Sequence, residues 1–268
     1  MQKVNWFEKA ALIPSLPKVA LDLIETFKQD DPDPKRLARD IEADAVLCAR
    51  VLRLANSPYY SSGREVRTVQ EALMVLGFSP VRNIALSTAV SSLGKSGSGM
   101  DMAVFAMLSL MTGMCCEALT DVSGLDKGQA FAAGLLRPIG MLLMRGERPA
   151  ESLAIDAEVS IVDPRRGEAE RKVFGVDHGE LSGALARRWK LPEFIVEALS
   201  GEGRAGASVK LAQWAASRAM SGVEGGKAFD AYAPAVEWSY ALGMEQSPGA
   251  AEWPTVEDAK ARFGSLAS

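Results

Sequence analysis

The sequence predicts an all-α protein, and three observations support this fold class. Apolar residues recur at the spacing of one helical face, as at Leu47, Val51 and Leu54. Aspartate, serine or threonine precedes many of these stretches, where such side chains cap helices. Segments with the strict alternation of a half-buried strand are nearly absent. Together these signals predict roughly a dozen helices, many of them short.

The most apolar helical stretch is Phe131–Met144, which carries Pro138 near its centre. Proline lacks an N–H, and its ring crowds the carbonyl group four residues earlier, at a cost of roughly 3 kcal/mol. That earlier residue is Gly134, whose missing side chain leaves room for a bend. We therefore predict a kinked core helix that brings Arg137 to the bend.

Composition and charge restrict the class of protein. The chain has 268 residues, of which 48% are hydrophobic and 24% are charged, as in an ordinary soluble globular protein. Its net charge of -4 argues against bulk electrostatic binding to nucleic acid or to an anionic membrane. No run reaches the ~18 apolar residues of a membrane span, and the start has no apolar signal core. We therefore expect a cytoplasmic protein.

Residues that form disulfides or bind metals are scarce. The three cysteines, Cys48, Cys115 and Cys116, form no disulfide framework, and we expect buried thiols in a reducing compartment. His178 is the single histidine, whereas zinc sites draw on several cysteine or histidine ligands. We expect no cofactor, although a carboxylate-only magnesium or calcium site stays open.

The first third of the chain divides into short helices. An extended arm is predicted over Leu12–Pro17, because both of its prolines resist helix, and a helix then runs to about Lys28. Asp33, Asp44 and Thr68 are predicted to cap the next three helices. A longer helix follows and ends near residue 93.

The glycine- and serine-rich stretch Gly94–Gly99 is the clearest flexible joint in the sequence. We place a boundary there, with an N-terminal helical lobe over residues 1–94, a second helical lobe over 100–222, and a C-terminal helical extension over 223–268.

Capping residues also define the helices of the second half. Asp101 is predicted to cap a methionine-rich helix, whose stripe favours core packing, and Asp126 to cap the bent helix. Later helices are predicted to begin at Asp163-Pro164, Gly179, Pro192, Ala207 and about Ala228, and Thr255 to cap a last short one.

Several separated motifs resemble one known family. Ile41–Tyr60 and Val69–Phe78 resemble the N-terminal half of HDOD domains, which are bacterial signalling output domains related to HD-superfamily metal-dependent phosphohydrolases. Ala130–Leu143 stands where that family reads Ala-Gly-Leu-Leu-His-Asp-Ile-Gly, and Glu170–Pro192 resembles its later histidine segment. The match covers about Leu12–Met220 and implies an HD-like fold in two helical lobes.

The departures from the family pattern bear on activity. HD hydrolases hold one or two metals with histidines and aspartates from separate helices, and the metals activate a water. Here the matching positions carry residues that cannot complete such a set: Leu108, Arg137, Pro138, His178 and Gln213. One imidazole cannot hold a catalytic metal alone, and an arginine brings a permanent cation. The resemblance therefore implies a protein that is not an enzyme, with a vestigial metal site.

Arg137 and His178 each allow two interpretations. Arg137 either forms a buried salt bridge that closes the old cavity or binds an anion such as a phosphate. His178 follows the predicted helix cap Asp177, and a structural bond to a backbone group or a nearby acid is favoured over a functional role.

The leading hypothesis is a non-catalytic signalling module that acts through contacts with other signalling proteins. Arginine and tyrosine are enriched at binding hot spots, although charged helix faces are often simply solvated and Asn56 and Tyr60 could simply fix a turn. The candidate contacts lie in the first lobe: Arg50, Arg53, Asn56, Tyr59, Tyr60, Arg64, Arg67 and Arg82.

Three alternatives stay open. A cyclic dinucleotide or other phosphate ligand could sit between the lobes, held by Arg137 and Arg82, although the sequence has no glycine-rich phosphate cradle. A residual phosphohydrolase would require bound metal. Nucleic-acid binding ranks last because the net charge is acidic and no recognition helix stands out.

Overall fold

The computed structural model describes residues 33–60, 65–93, 99–221 and 253–263, together with Trp6, Leu21, Asp22, Ile24, Gly63, Leu242 and Gly243. All regular secondary structure in these ranges is helical, which confirms the all-α prediction. The predicted arm over 12–17, the helix to about 28, the joint over 94–99 and the helix over 228–243 lie wholly or largely outside the described residues.

Four helices form the described part of the N-terminal half. They are α1 (Pro34–Glu42), α2 (Ala45–Ala55), α3 (Val69–Leu76) and α4 (Phe78–Leu93). The carboxylates of Asp33 and Asp44 and the hydroxyl of Thr68 accept hydrogen bonds from the first turns of α1, α2 and α3, as predicted. These helices pack on one another through their apolar faces.

The C-terminal half contains ten further α-helices and one short 3₁₀ turn among the described residues. In chain order they are α5 (Met102–Glu117), α6 (Thr120–Ser123), α7 (Lys127–Leu136), the 3₁₀ turn (Arg137–Ile139), α8 (Gly140–Glu147), α9 (Pro149–Glu158), α10 (Arg166–Phe174), α11 (His178–Arg188), α12 (Glu193–Ser200), α13 (Gly203–Met220) and α14 (Val256–Phe263).

Helices α5 and α7 form the centre of the molecule and approach each other backbone to backbone. A Cβ atom added to Gly134 would lie 2.6 Å from the carbonyl oxygen of Thr112 and 2.8 Å from the Cα atom of Gly113. No side chain fits in that space, so glycine is required at this crossing. The methionines Met107, Met111 and Met114 of α5 are buried in the core, as expected for adaptable packing.

The bend predicted within Phe131–Met144 is present, but the stretch is not one kinked helix. It starts earlier, at Lys127 after the Asp126 capping box, and breaks into α7, the 3₁₀ turn and α8. The role predicted for Gly134 is also corrected. Gly134 allows the close approach of α5 described above, and the tighter 3₁₀ winding relieves the crowding by Pro138.

One hydrophobic core links the described helices of both halves. It extends from Ile41 and Val51 through Phe105 and Phe131 to Phe263 in α14. Among the described residues, no helix is both long enough and apolar enough to cross a membrane.

Candidate functional site

The 3₁₀ turn places Arg137 inside the molecule, where its side chain is held by two neutral acceptors. Its Nε atom donates to Oε1 of Gln213 at 3.1 Å, and its Nη1 atom donates to the carbonyl oxygen of Leu199 at 2.9 Å. Arg137 is only 5% exposed. Burial lowers the pKa of Arg137, while the nearby carboxylates of Asp177 and Glu170 oppose that shift. The salt-bridge interpretation is therefore corrected, because both described bonds go to uncharged groups.

Two glycines let the turn and α11 meet around this guanidinium. A Cβ atom on Gly179 would lie 1.4 Å from Nη1 of Arg137, and a Cβ atom on Gly140 would lie 2.0 Å from the carbonyl oxygen of His178. The Ser182 hydroxyl shares its single proton between the carbonyl oxygens of Arg137 and His178, at 2.7 and 2.8 Å, and it accepts from the N–H of Gly140. This serine satisfies backbone groups that the break in the helix leaves open.

His178 lies at the first turn of α11 and contacts a buried carboxylate. Its Nδ1 atom is 2.6 Å from Oε2 of Glu170, and its backbone N–H donates to the same oxygen at 2.9 Å. The side chain of Glu170 is fully removed from solvent. The Asp177 capping box orients this turn, since Asp177 accepts from the N–H of Glu180.

Gln213 on α13 connects the histidine to the arginine. Its Nε2 atom is 2.7 Å from Nε2 of His178, while its Oε1 atom accepts from Arg137. One assignment of protons satisfies the whole chain of bonds: Arg137 donates to Gln213, Gln213 donates to His178, and His178 donates from Nδ1 to Glu170.

Behind Glu170 the network continues into a group of buried charges. Arg166 donates from Nε to Oε1 of Glu170 at 2.9 Å and from Nη1 to Oδ1 of Asp156 at 2.7 Å. The other oxygen of Asp156 pairs with Arg145, which is 2% exposed. One continuous polar path therefore joins seven side chains from six segments, namely the 3₁₀ turn and helices α8, α9, α10, α11 and α13. In order along the path they are Arg137, Gln213, His178, Glu170, Arg166, Asp156 and Arg145.

The electrostatics of this path favour a charged Glu170. Burial by itself raises the pKa of that carboxyl, but His178 and Arg166 outweigh burial and hold the pKa below its ordinary value. The pKa of Asp177 is lowered in the same manner, because Arg137 and His178 outweigh the effect of burial. The carboxylates of Glu170 and Asp177 are therefore neutralised by ion pairs with Arg166 and Arg171, which reduces their attraction for a metal cation.

A cleft of about 280 Å³ opens beside the network, between α10, α11 and α13. Arg171 and Lys210 stand at its wall, and Trp214 is buried in it with no described acceptor for its indole N–H. Arg171 pairs with Asp177 at 2.6 Å, and Lys210 donates to the carbonyl oxygen of Gly201 at 3.1 Å. Burial and the neighbouring Arg137 lower the pKa of Lys210.

The side chains in this pocket do not fit a metal centre. Both ring nitrogens of His178 are engaged by Glu170 and Gln213, and both oxygens of Glu170 accept bonds from protein donors. The Arg137 guanidinium lies within the same network, where it would repel a cation. Within the described residues, no three histidine, cysteine or carboxylate side chains converge as metal ligands do.

The two remaining positions of the predicted vestigial metal site take no part in these side-chain contacts. Leu108 lies on α5, fully buried in the hydrophobic core. Pro138 lies in the 3₁₀ turn and is also buried. Arg137, His178 and Gln213, which the sequence spreads over 77 positions, are brought into direct contact.

The candidate contact residues of the N-terminal half occupy different environments. Arg53 and Arg67 are exposed, and Arg67 pairs with Glu65 at 2.8 Å. Arg50 is half-buried and donates to the Thr88 hydroxyl at 3.3 Å. Arg82 is 8% exposed and lies over the ring of Phe78, so the structure does not present it at the surface.

The loop after α2 fixes Asn56 and Tyr60 more firmly than Tyr59. Asn56 closes the loop by accepting from the N–H of Val66 and donating to its carbonyl oxygen, both at 2.8 Å. Tyr60 is half-buried, whereas the neighbouring Tyr59 is 60% exposed. Arg64 lies outside the described residues.

The sequence does not predict the role of Glu170, the buried carboxylate that contacts both His178 and Arg166. In the sequence, Glu170 stands out only as the start of the segment Glu170–Pro192, and no motif singles out Arg166, Asp156 or Arg145. The spacing of Arg166 and Glu170, four residues apart on one helix, was a signal for an ion pair. Nothing in the sequence shows that α11 would fold His178 back onto the same carboxylate.

Helices packed around a broken central helix, with a polar pocket at the break, define an HD-like fold. A crystal structure from Shewanella amazonensis, named for an inferred phosphohydrolase, matches with a TM-score of 0.74 at 24% identity, covering 100% of this chain and 99% of that one. An HDOD domain protein of unknown function from Geobacter sulfurreducens matches with a TM-score of 0.69 at 24% identity and 88% coverage of both chains.

The sequence itself identifies the family. Residues 13–202 match the HDOD domain, which is more than half of the chain, and the chain therefore belongs to the HDOD family. The resemblance seen in the motifs is thus confirmed.

Two curated relatives are much longer proteins of uncharacterised function. One, from Treponema pallidum, is 23% identical over 199 residues, which is 70% of this chain and 37% of that protein. The other, YuxH of Bacillus subtilis, is 24% identical over 140 residues, which is 52% of this chain and 34% of that protein. The chain therefore matches about a third of the length of each.

Proposed function

We propose that this protein is a non-catalytic signalling module that acts by binding other proteins. The observation that carries the proposal is the closed network in the pocket, in which Arg137, Gln213, His178 and Glu170 satisfy one another. Metal-dependent hydrolysis needs free ligands and a metal-bound water, whereas these side chains already use their donors and acceptors on each other. The buried guanidinium adds an electrostatic barrier to a cation.

Membership of the HDOD family supports a role in signalling. A structural neighbour from Marinobacter aquaeolei, named for an inferred role in signal transduction, shares the fold with a TM-score of 0.62 at 20% identity, covering 95% of this chain and 57% of that one. Such a role needs a docking surface rather than a reaction centre.

The exposed apolar side chains favour the α2–α3 region as that surface. Among the described residues, the large hydrophobic side chains that stay exposed are Val46, Tyr59, Met74, Val75 and Leu153. All but Leu153 lie on α2, on α3 or in the loop between them. Exposed apolar side chains on neighbouring elements are typical of protein interaction sites, and the exposed arginines Arg53 and Arg67 of the same region favour an acidic partner.

An affinity pull-down with the intact protein, followed by mass spectrometry, tests the proposal. The double substitution Tyr59→Ala and Met74→Ser should abolish capture of a specific partner. Leu153→Ser on α9 is the matched control, since Leu153 is 53% exposed but lies away from this surface. Equal capture by both variants would reject the surface.

The non-catalytic part of the proposal has its own test. Elemental analysis of the purified protein should show no stoichiometric iron, manganese or zinc, and added metals should not produce phosphodiester hydrolysis. A bound metal at one equivalent, removed by Glu170→Gln, would overturn the proposed loss of activity.

A small anionic ligand is a second candidate, supported by the cleft beside Arg137. Its volume of about 280 Å³ lies at the lower limit of ligand pockets, which span roughly 300–1,000 Å³. This favours an anion of phosphate size over a cyclic dinucleotide. Arg82, which the sequence suggests as a second ligand contact, does not line the cleft.

Calorimetry separates these ligands. Inorganic phosphate should bind to the intact protein and lose affinity in Lys210→Ala, whereas cyclic dinucleotides should give no heat. The absence of heat from every anion would remove this candidate and leave the docking proposal untouched.

A further inference from the structure

Helix α14 lies beyond the segment that matches the HDOD domain, yet it packs directly on the domain. Its sequence Val256–Phe263 begins with a reciprocal cap between Thr255 and Asp258. Ala259 and Phe263 are buried against the domain, at 0% and 3% exposure, while Lys260 faces solvent. The helix therefore presents one apolar face to the domain and one polar face to water.

Arg262 is the polar anchor of this helix. Both oxygens of Glu117, at the end of α5, accept from its guanidinium, and the bond from Nη2 is 3.0 Å long. The oxygen of Tyr60 lies near the same guanidinium. Burial opposes the charge, but the bonds to Glu117, together with the nearby oxygen of Tyr60, outweigh it and raise the pKa of Arg262. The pair is mostly removed from solvent, with side chains 18% and 14% exposed.

The apolar anchor lies beside this ion pair. The ring of Phe263 is 5.6 Å from the ring of Phe131 on α7, and the guanidinium carbon of Arg262 lies 5.8 Å from the Phe131 ring centroid. Asn83 of α4 reaches Glu117 with its Nδ2 atom at 3.5 Å. Groups from both halves of the domain therefore meet beneath α14, where the carboxylate of Glu117 and the ring of Phe131 make the main contacts with it.

Helix α14 is too short to be stable by itself. It has eight residues, and isolated helices shorter than about 12–15 residues are marginal in water. Its anchors include one ion pair, one aromatic contact, the small side chain of Ala259 and the buried Trp253 just before the helix. A segment held in this way can be exchanged for a competing helix of the same chemistry.

We propose that α14 is an intramolecular ligand that occupies a docking groove formed by Tyr60, Glu117 and Phe131. The partner that it excludes is a protein helix with adjacent arginine and phenylalanine side chains and a small residue four positions before the phenylalanine. The inference rests on the proposed docking function, but it assigns a second surface, which adjoins the α2–α3 surface at Tyr60 and is centred on Glu117 and Phe131, and a means of controlling access to it.

A labelled peptide with the sequence of residues 253–268 tests the groove by fluorescence anisotropy against the full-length protein. The wild-type protein should bind the peptide weakly, since its own α14 fills the groove. The full-length double variant Arg262→Ala/Phe263→Ala should bind it at least ten times more tightly. Adding Glu117→Gln to the double variant should reverse that gain, and Lys260→Ala, on the exposed face, should behave as wild type.

Circular dichroism melting shows whether each variant is folded. If the double variant does not fold, the single variant Arg262→Ala, which keeps Phe263, is used instead. It should also bind the peptide at least ten times more tightly than the wild-type protein. Equal binding by folded wild-type and variant proteins, or a gain that does not depend on Glu117, would overturn the proposal. The single substitution Met74→Ser should leave peptide binding unchanged, so failure here is distinguishable from failure of the α2–α3 surface.

Discussion

The Nδ1 atom of His178 lies 2.6 Å from Oε2 of Glu170, and both side chains are buried. The single histidine of the chain is thereby bound to a protein carboxylate on one side and to an amide on the other. This pairing, together with Arg137, turns the pocket into a structural junction between α10, α11 and α13.

Glu170→Gln should destabilise the protein by about 3–5 kcal/mol at neutral pH, because it leaves the buried cation Arg166 without its full counter-charge. The pKa of Glu170 is lowered in the folded state, so its contribution is present above the ordinary value of 4.5 and is lost as pH falls through the folded-state pKa. Urea denaturation at neutral and at acidic pH measures this: the difference between wild type and variant should shrink on acidification.

The control for this change is Glu197→Gln, the same substitution at an exposed glutamate of α12. It should change the free energy of unfolding by no more than about 0.5 kcal/mol at either pH. A difference for Glu170→Gln that stays constant down to pH 3 would contradict the proposed charged state.

The two glycines of α8 should respond oppositely to alanine. Gly140→Ala would place a Cβ atom 2.0 Å from the backbone carbonyl of His178, so α8 and α11 would have to separate, at a cost of about 1–3 kcal/mol or more. Gly146→Ala meets no atom within 4 Å and should stabilise the helix by about 0.5–1 kcal/mol. Thermal melting of both variants decides the matter, and equal melting temperatures would be inconsistent with the close crossing.

Arg137→Met should destabilise the protein by about 2–4 kcal/mol, although methionine fills a similar volume. The change leaves the carbonyl of Leu199 and the side chain of Gln213 without their donor. Arg187→Met is the matched control, because its side chain is 55% exposed and its pair with Glu202 spans 3.6 Å. The control should change stability by less than about 1 kcal/mol. Guanidinium denaturation compares the two, and similar losses would mean that Arg137 does not secure the pocket.

The three thiols should differ in reactivity. Cys115 and Cys116 are buried, and burial raises the pKa of both, so neither supplies a thiolate at neutral pH. Cys48 is only half-buried. Alkylation of the native protein should therefore modify Cys48 first, and denaturant should release the other two. Rapid native labelling of Cys115 or Cys116 would show that α5 is not packed as described.

Local signals account for much of the fold. The capping residues Asp33, Asp44, Asp126 and Asp177 begin helices where the sequence places them, because a cap acts within three residues of chain. The break at Pro138 was also visible, since proline excludes a regular helix by its own covalent geometry. The family resemblance, supported by separated motifs in order, is confirmed over residues 13–202.

The bonds of the pocket were decided by tertiary structure. Arg137 and Gln213 meet across 76 positions, and Glu170 turns out to be the acid beside His178, because three helices converge at the break. The sequence alone determined which side chains are available at the pocket. They include Arg137 and a single histidine, His178, at positions where the family pattern has metal ligands. Only packing decided that these side chains would satisfy one another, because a hydrogen bond depends on distance and direction that no local pattern encodes.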